Sequence, residues 1–146
     1  PIRPLKATLG KLDLVFIYVK ILSVYAVFTW AGATGPIGPW TFLLAAIVAT
    51  AGIALVLADV CLPLFARVAI YLAIGWSGAV GAVHLHAALA PDTFALVVAG
   101  GILYTLGIAF HVSEGRLFHH AAWHATVVLA SALHALAVLD VLSGPA

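Results

Sequence analysis

Four histidines stand in the stretch LFHHAAWHATVVLASALHALAVL, residues 117 to 139, which is apolar enough to cross a bilayer. His120 and His124 are four residues apart, so on a helix their imidazoles stack on one face, about 6 Å apart along the axis. A single divalent ion can take both rings. Neutral imidazole suits Zn²⁺, and a catalytic zinc site wants one further protein ligand and a position for water. The same pair can instead hydrogen-bond to headgroups or loop carbonyls, and spacing leaves both readings open. Ionisable groups inside a membrane are costly, which weighs toward a role. His134 shares the face of the pair but lies about 15 to 20 Å further along the helix, too far to hold the same ion. His119 points elsewhere and reads as an interfacial residue.

A second constellation stands in KLDLVFIYVKILSVYAVF, residues 11 to 28. Asp13 and Lys20 are seven apart, hence on one helical face, and each would be expensive against lipid, so both should look inward. Asp13 is expected at the depth of His120 and His124. There it can accept a hydrogen bond from a ligating imidazole or act as a general base toward water. It can equally serve as an N-cap for the apolar helix that follows. Lys20 lies about 10 Å deeper. With no carboxylate evident at that depth, it either binds a carboxyl or carbonyl oxygen of a lipid or snorkels.

The elements that must position these groups follow from composition. Of 146 residues, 65% are hydrophobic and 8% are charged, and mean hydropathy is +1.22. This is the composition of an integral membrane protein rather than a soluble domain. Five apolar runs, about 13–30, 40–58, 66–83, 93–111 and 120–142, are each near the length of a helical crossing. Runs this long and unalternating do not suit barrel strands. AGATGPIGPW, ADVCLPLF, the APD after Leu89 and VSEGR punctuate them with helix-ending residues. The expectation is one all-α, polytopic transmembrane helix bundle over residues 1–146, with antiparallel neighbours joined by short loops. The opening PIRPLK has neither Met nor a signal-peptide pattern, so an N-terminal part is expected to be missing.

Charge orients the bundle. Arg3, Lys6, Lys11, Arg67 and Arg116 fall on one side, and the opposite loops carry Asp92 and no Lys or Arg. The positive-inside rule places the N-terminus in the cytoplasm and the C-terminus outside. A net charge of +1 offers no basic field for a nucleic acid. The single Cys61 excludes an intrachain disulfide and a cysteine-built metal site. Gly75, Gly78 and Gly81 read as a groove for a neighbouring helix, and Gly100, Gly101 and Gly107 read the same way. Trp30, Trp40 and Trp76 fall where an aromatic belt would put them, whereas Trp123 sits inside the histidine motif. His84, His86 and His111 read as interfacial, and Asp59 and Glu114 as solvated loop charges.

The residues GGILYTLGIAFH (100 to 111) followed by HAAWHATVVLASALHALAVL (120 to 139) resemble the last two helices of bacterial hemolysin III proteins, in the progestin and adipoQ receptor (PAQR) family. Upstream, Lys11 to Asp13 with Ile17 and Tyr18 resembles that family's third helix, and YLAIGW (71 to 76) its fifth. The resemblance implies a seven-helix bundle in a bacterial inner membrane with zinc near the cytoplasmic face. Its HxxxH corresponds to His120 and His124, and its third-helix Asp to Asp13. The family's third zinc ligand, a His on the second helix, has no counterpart here, so five crossings stand where seven are expected. SVYAVF (23 to 28) also replaces GTYTPF, losing the Pro kink, and Lys20 intrudes.

Together these readings lead to a zinc-dependent membrane hydrolase acting on a lipid amide or ester, with His120 and His124 as metal ligands, Asp13 as base, and Lys20 and His134 toward a substrate cavity. Two alternatives stand beside it. One is a receptor-like or lipid-sensing protein with structural zinc; the other is a membrane-perturbing hemolysin, for which an aqueous pore should show more polar residues along several helices. Membrane lipids are the expected partners.

Overall fold

The structure is a computed structural model that describes residues 2–113 and 117–143, with the backbone alone for residues 2–4, 6 and 7. The side chains of Arg3 and Lys6, and Glu114 and Arg116 altogether, lie outside the described residues. The chain folds as α1 (Ile2–Trp30), α2 (Gly38–Leu57), α3 (Leu64–Ser77), α4 (Ala82–Ala88), α5 (Pro91–His111) and α6 (His119–Ser143), with no strand among the described residues. Short 3₁₀ turns at Gly35–Ile37 and Gly78–Gly81 complete it. Five spans are long and apolar enough to cross a membrane, α3 and α4 forming one of them from Leu64 to Ala88. The expected all-α polytopic architecture is therefore present.

The elements depart from the sequence expectation in two places. α1 begins at Ile2 rather than near residue 13. Pro4 falls in its first turn, where a missing N–H costs nothing, and the basic residues that follow are good helix formers. Asp13 consequently sits inside a helix, so the N-cap reading is corrected. The third crossing runs on to Ala88, but the glycines of GWSGAVG loosen it into a 3₁₀ turn midway. Trp76 therefore lies well within the span rather than in an interfacial belt; its indole Nε1–H donates to Thr105 Oγ1 of α5 at 3.0 Å.

Small residues set the packing. On α5, Thr93, Gly100 and Gly107 are buried at seven-residue intervals, and on α6 Trp123, Ala130 and Ala137 are buried at the same interval. The two repeats run antiparallel against each other: a methyl at Gly107 would collide with Thr126, and one at Gly100 with the His134 ring. This seam lets the two backbones approach closely, as small-residue contacts in membranes do. α2 presents Ala45, Ala49 and Gly52 to Tyr18 of α1, which is buried and packs on Tyr71 with ring centroids 4.8 Å apart. Tyr25 ties α1 to α3, its hydroxyl donating to the Ile74 carbonyl at 2.7 Å and lying 2.9 Å from Ser77 Oγ. Gly78 and Gly81 do meet neighbours, Tyr25 and Thr34 respectively, but a methyl added at Gly75 or Gly101 would meet nothing within 4 Å. For those two the contact expectation is corrected: they face outward.

α1 and α6 run parallel as the first and fifth crossings. Lys20, Ser23, Val24 and Val27 of α1 face the same groove as Ser131, His134, Ala135 and Val138 of α6. Phe28, in turn, clusters with Ala137 and Val141. This register sets the depth of every candidate residue below.

Candidate metal centre and membrane groove

Phe118 takes a left-handed backbone conformation, φ +63°, and turns the chain into α6. Its carbonyl accepts from Ala122 N–H at 2.9 Å, closing the first turn. The two histidines that start the helical repeat then converge: Nε2 of His124 lies 3.0 Å from Nε2 of His120, with the rings edge to face, 4.4 Å between centroids. Without an ion, one nitrogen must donate a hydrogen and the other accept it. To hold an ion, both rings would have to turn their Nε2 lone pairs toward one position. Two nitrogens bound tetrahedrally to zinc at the usual bond length are about 3.3 Å apart, so the donor set fits after a shift of a few tenths of an ångström.

Around the pair stands a wall of rings. Trp123 is buried and packs against His124 at 4.5 Å and His120 at 5.7 Å between centroids. Its ring also meets His111 of α5 at 4.5 Å. His111, read from sequence as merely interfacial, thus belongs to the packing that fixes the motif's Trp. The Trp inside HxxWH and the His that ends GIAFH were visible as residues, but nothing in their spacing said that they would meet. His119 stands beside His120, ring centroids 6.4 Å apart.

His120 is exposed and His124 half-buried. Among the described residues no third His, Cys, Asp or Glu joins them in a group that could hold an ion. Asp13 is exposed on α1; the register that sets Lys20 beside Ser131 puts it level with His124. Its charge acts on Tyr71 of α3, which Arg67 and Tyr18 also reach. Asp59 is paired: Lys11 Nζ lies 2.7 Å from its carboxylate in an exposed ion pair. Thr93 donates to Asp140, joining α5 to α6 at the opposite end of the bundle.

About two turns deeper than Asp13 lies a second site. Lys20 Nζ is buried without a hydrogen-bond partner among the described residues and rests 3.9 Å from the centre of the Tyr104 ring. Tyr104 hydroxyl and Ser131 Oγ are 2.7 Å apart. The His134 ring lies 5.6 Å from the Tyr104 ring, and its Nε2 is 3.1 Å from the Val97 carbonyl. A carbonyl only accepts, so His134 Nε2 carries the hydrogen. Of these groups, Lys20, Ser131 and His134 line a half-open groove of about 250 Å³ between α1 and α6. Lys20 and His134 thus share one cavity with Ser131, and Tyr104 packs beside it under the Lys20 ammonium; neither Ser131 nor Tyr104 was singled out from the sequence.

Sequence comparisons agree with the resemblance drawn from the motifs. The profile of the family described as Haemolysin-III related matches residues 3–135. The chain is 32% identical over 123 residues to a hemolysin-3 homolog of Bacillus subtilis (strain 168), covering 84% of this chain and 58% of that protein. It is 37% identical over 130 residues to hemolysin-3 of Bacillus cereus, covering 88% of this chain and 58% of that protein. The chain thus spans less than two thirds of the length of these curated relatives. No solved structure matches it significantly. With five apolar spans, the converged HxxWH pair and a profile match over nearly its whole length, the chain belongs to the Haemolysin-III related family of integral membrane proteins.

Proposed function

We propose that this protein binds a divalent metal, zinc by the chemistry of its donors, through His120 and His124, and that it acts as a hydrolase on an amide or ester bond of a membrane lipid. The observation that carries this reading is the convergence of the two Nε2 atoms at 3.0 Å on the half-exposed start of α6. Zinc held there would supply a Lewis acid to polarise a carbonyl oxygen. The chain's own residues do the rest. Trp123, wedged between His111 and the pair, fixes the imidazole orientations. Asp13, level with His124, is the carboxylate available to take a proton from water, and its exposure leaves it free to do so. A third protein ligand is required for a catalytic site and is not found among the described residues.

Lys11 and Arg67 lie on the same end of the bundle as the histidine pair, which supports a cytoplasmic-facing site in a bacterial inner membrane. The relatives' name, hemolysin-3, attaches to those proteins.

The test is release of fatty acid from ceramides and phospholipids by the zinc-loaded protein in lipid nanodiscs. The reading expects release that Asp13→Asn lowers by about a hundredfold or more, the scale of a lost general base, while bound zinc stays the same. Zinc binding with no release from any lipid would instead point to the receptor-like role.

A further inference from the structure

A buried ammonium with neither a counter-ion nor a hydrogen bond is an expensive arrangement in a hydrocarbon environment. Lys20 is in that position: its Nζ is enclosed and has no hydrogen-bond partner among the described residues. It lies near the middle of the span Thr8–Trp30, too deep to snorkel readily to either surface. What it meets is an aromatic face, with Nζ 3.9 Å from the centre of the Tyr104 ring on α5. A cation over a phenol ring is attracted by the ring's quadrupole, and more strongly where water is excluded.

The ring that receives the charge is itself fixed. Ser131 donates its one hydroxyl hydrogen to the Val127 carbonyl at 2.6 Å, so at the 2.7 Å contact with Tyr104 the phenol donates and Ser131 Oγ accepts. Tyr104 is thus tied to α6 while its face is turned to α1. α5 and α6 are already locked together at Gly100 and Gly107, so the ring stands on a rigid pair. On its other sides α1 is held by Tyr18, packed on α2 and α3, and by Tyr25, bonded to α3. Phe28 clusters with Ala137 and Val141 toward the Trp30 end. Alongside the groove between α1 and α6, Lys20 supplies the link from α1 to the α5–α6 pair.

A charge differs from an apolar contact in having one acceptable position. Sliding α1 by a turn, about 5.4 Å, would carry Nζ off the ring and leave it unpaired against apolar side chains. A single buried polar residue fixes the register of coiled coils by the same logic. Asp13 is seven residues before Lys20 on α1, and His124 is seven residues before Ser131 on α6. In two parallel helices those equal steps, about two turns each, carry the register at Tyr104 down to the histidine pair.

We propose that Lys20 is a positioning residue, a register pin whose contact with the Tyr104 face holds α1 against the α5–α6 pair and so sets the Asp13 carboxylate level with His124. Its consequence for catalysis rests on the hydrolase reading above; the pin itself does not.

The test measures register and turnover separately, in lipid nanodiscs. For register, nitroxide labels on cysteines placed at the exposed positions Leu12 of α1 and Ala121 of α6 report their separation by double electron–electron resonance, with the exposed Cys61 replaced by Ala. A second pair, at the exposed Leu106 and Val128, reports α5 against α6. Lys20→Met keeps the side-chain length and removes the charge. It should shift the first distance by about 2 Å or more, the scale on which packed helices slide, and leave the second unchanged. Lys20→Arg, which keeps a cation for the ring, should restore the wild-type distance. Tyr104→Phe, which keeps the face, should behave as wild type, and Tyr104→Leu as Lys20→Met. In fatty-acid release, Lys20→Met should lower kcat by about 10- to 100-fold, the effect of misplacing a reacting group by about an ångström, with KM and zinc content unchanged. Lys20→Arg should recover most of that loss. An unchanged Leu12–Ala121 distance in Lys20→Met or Tyr104→Leu, or no recovery in Lys20→Arg, would overturn the proposal. Should Lys20→Met fail to fold, the contrast between Tyr104→Phe and Tyr104→Leu decides the matter. A wild type that releases no fatty acid yet loses its register in Lys20→Met would count against the hydrolase reading alone.

Discussion

His134 of α6 lies directly over Gly100 of α5: a methyl group at position 100 would run into the imidazole, whose Nε2 is meanwhile bonded to the Val97 carbonyl one turn away. The glycine thus makes room for a polar ring inside the helix pair, and the ring in turn forms part of the Lys20 groove.

Gly100→Ala should therefore destabilise the bundle by about 1–3 kcal/mol, the cost of overpacking a site that cannot relax freely. Gly101→Ala, one residue on and with nothing within 4 Å, should be neutral or slightly stabilising through its helix propensity. Thermal unfolding in detergent, followed by loss of helical circular dichroism, separates the two. Equal destabilisation by both substitutions would contradict the α5–α6 seam.

Tyr25 and Trp76 hold α3 by side-chain hydrogen bonds to α1 and α5. Tyr25→Phe leaves the Ile74 carbonyl and Ser77 hydroxyl with each other, since Ser77 already donates to that carbonyl at 2.7 Å. It should cost no more than about 1 kcal/mol. Trp76→Phe leaves Thr105 bonded to its own helix at the Gly101 carbonyl, 2.9 Å away, and should cost about as little. The double substitution should be additive, because the two bonds share no partner. A coupling well above about 0.5 kcal/mol in the double-mutant cycle would show that α3 docks as a unit through both.

The Lys11–Asp59 pair is exposed, with side chains 35% and 75% accessible, so its worth is small and salt-dependent. Asp59 also has φ +59° at the end of α2. Asp59→Asn keeps a residue that tolerates this conformation and removes only the charge, and should cost less than about 1 kcal/mol. Asp59→Val, β-branched, should cost more through backbone strain. Comparable losses for the two would mean that the ion pair and not the backbone dominates there.

Much of the fold was legible because lipid imposes one rule, a long apolar helix, and the five runs obey it. The misread parts are those where one residue type serves two ends. Arg3, Pro4, Lys6 and Lys11 read as a flank, yet none of them stops a helix at its start, so α1 extends to Ile2. Glycines three apart read as a contact surface, but in GWSGAVG Gly78 and Gly81 bound a 3₁₀ turn, and a methyl at Gly75, in α3 before it, would meet no neighbour. At the site, HxxxH spacing was enough to foresee two imidazoles on one face, because four residues is close to one helical turn. The partner of Lys20 was not foreseeable in the same way. A search for a carboxylate at its depth finds none, and its actual neighbour is the face of Tyr104, which sequence spacing cannot distinguish from core packing.

His111 and Trp123 lead to a further expectation. Trp123 is buried against both His124 and His111, so Trp123→Ala should release the orientation of the pair without removing a ligand. Apparent zinc affinity should fall by about 10- to 100-fold, the scale of losing a residue that orients a ligand, whereas Trp123→Phe should retain most of it. An alanine variant with wild-type affinity would show that helix spacing alone aligns the two rings.

The most direct measurement is the metal content of the purified protein, by inductively coupled plasma mass spectrometry, for wild type, His120→Ala, His124→Ala and His134→Ala. The account predicts zinc in wild type and His134→Ala and its loss in both of the other variants, each folded by circular dichroism. Equal zinc in all four proteins, or none in wild type after loading, would contradict a metal held between the two Nε2 atoms of α6.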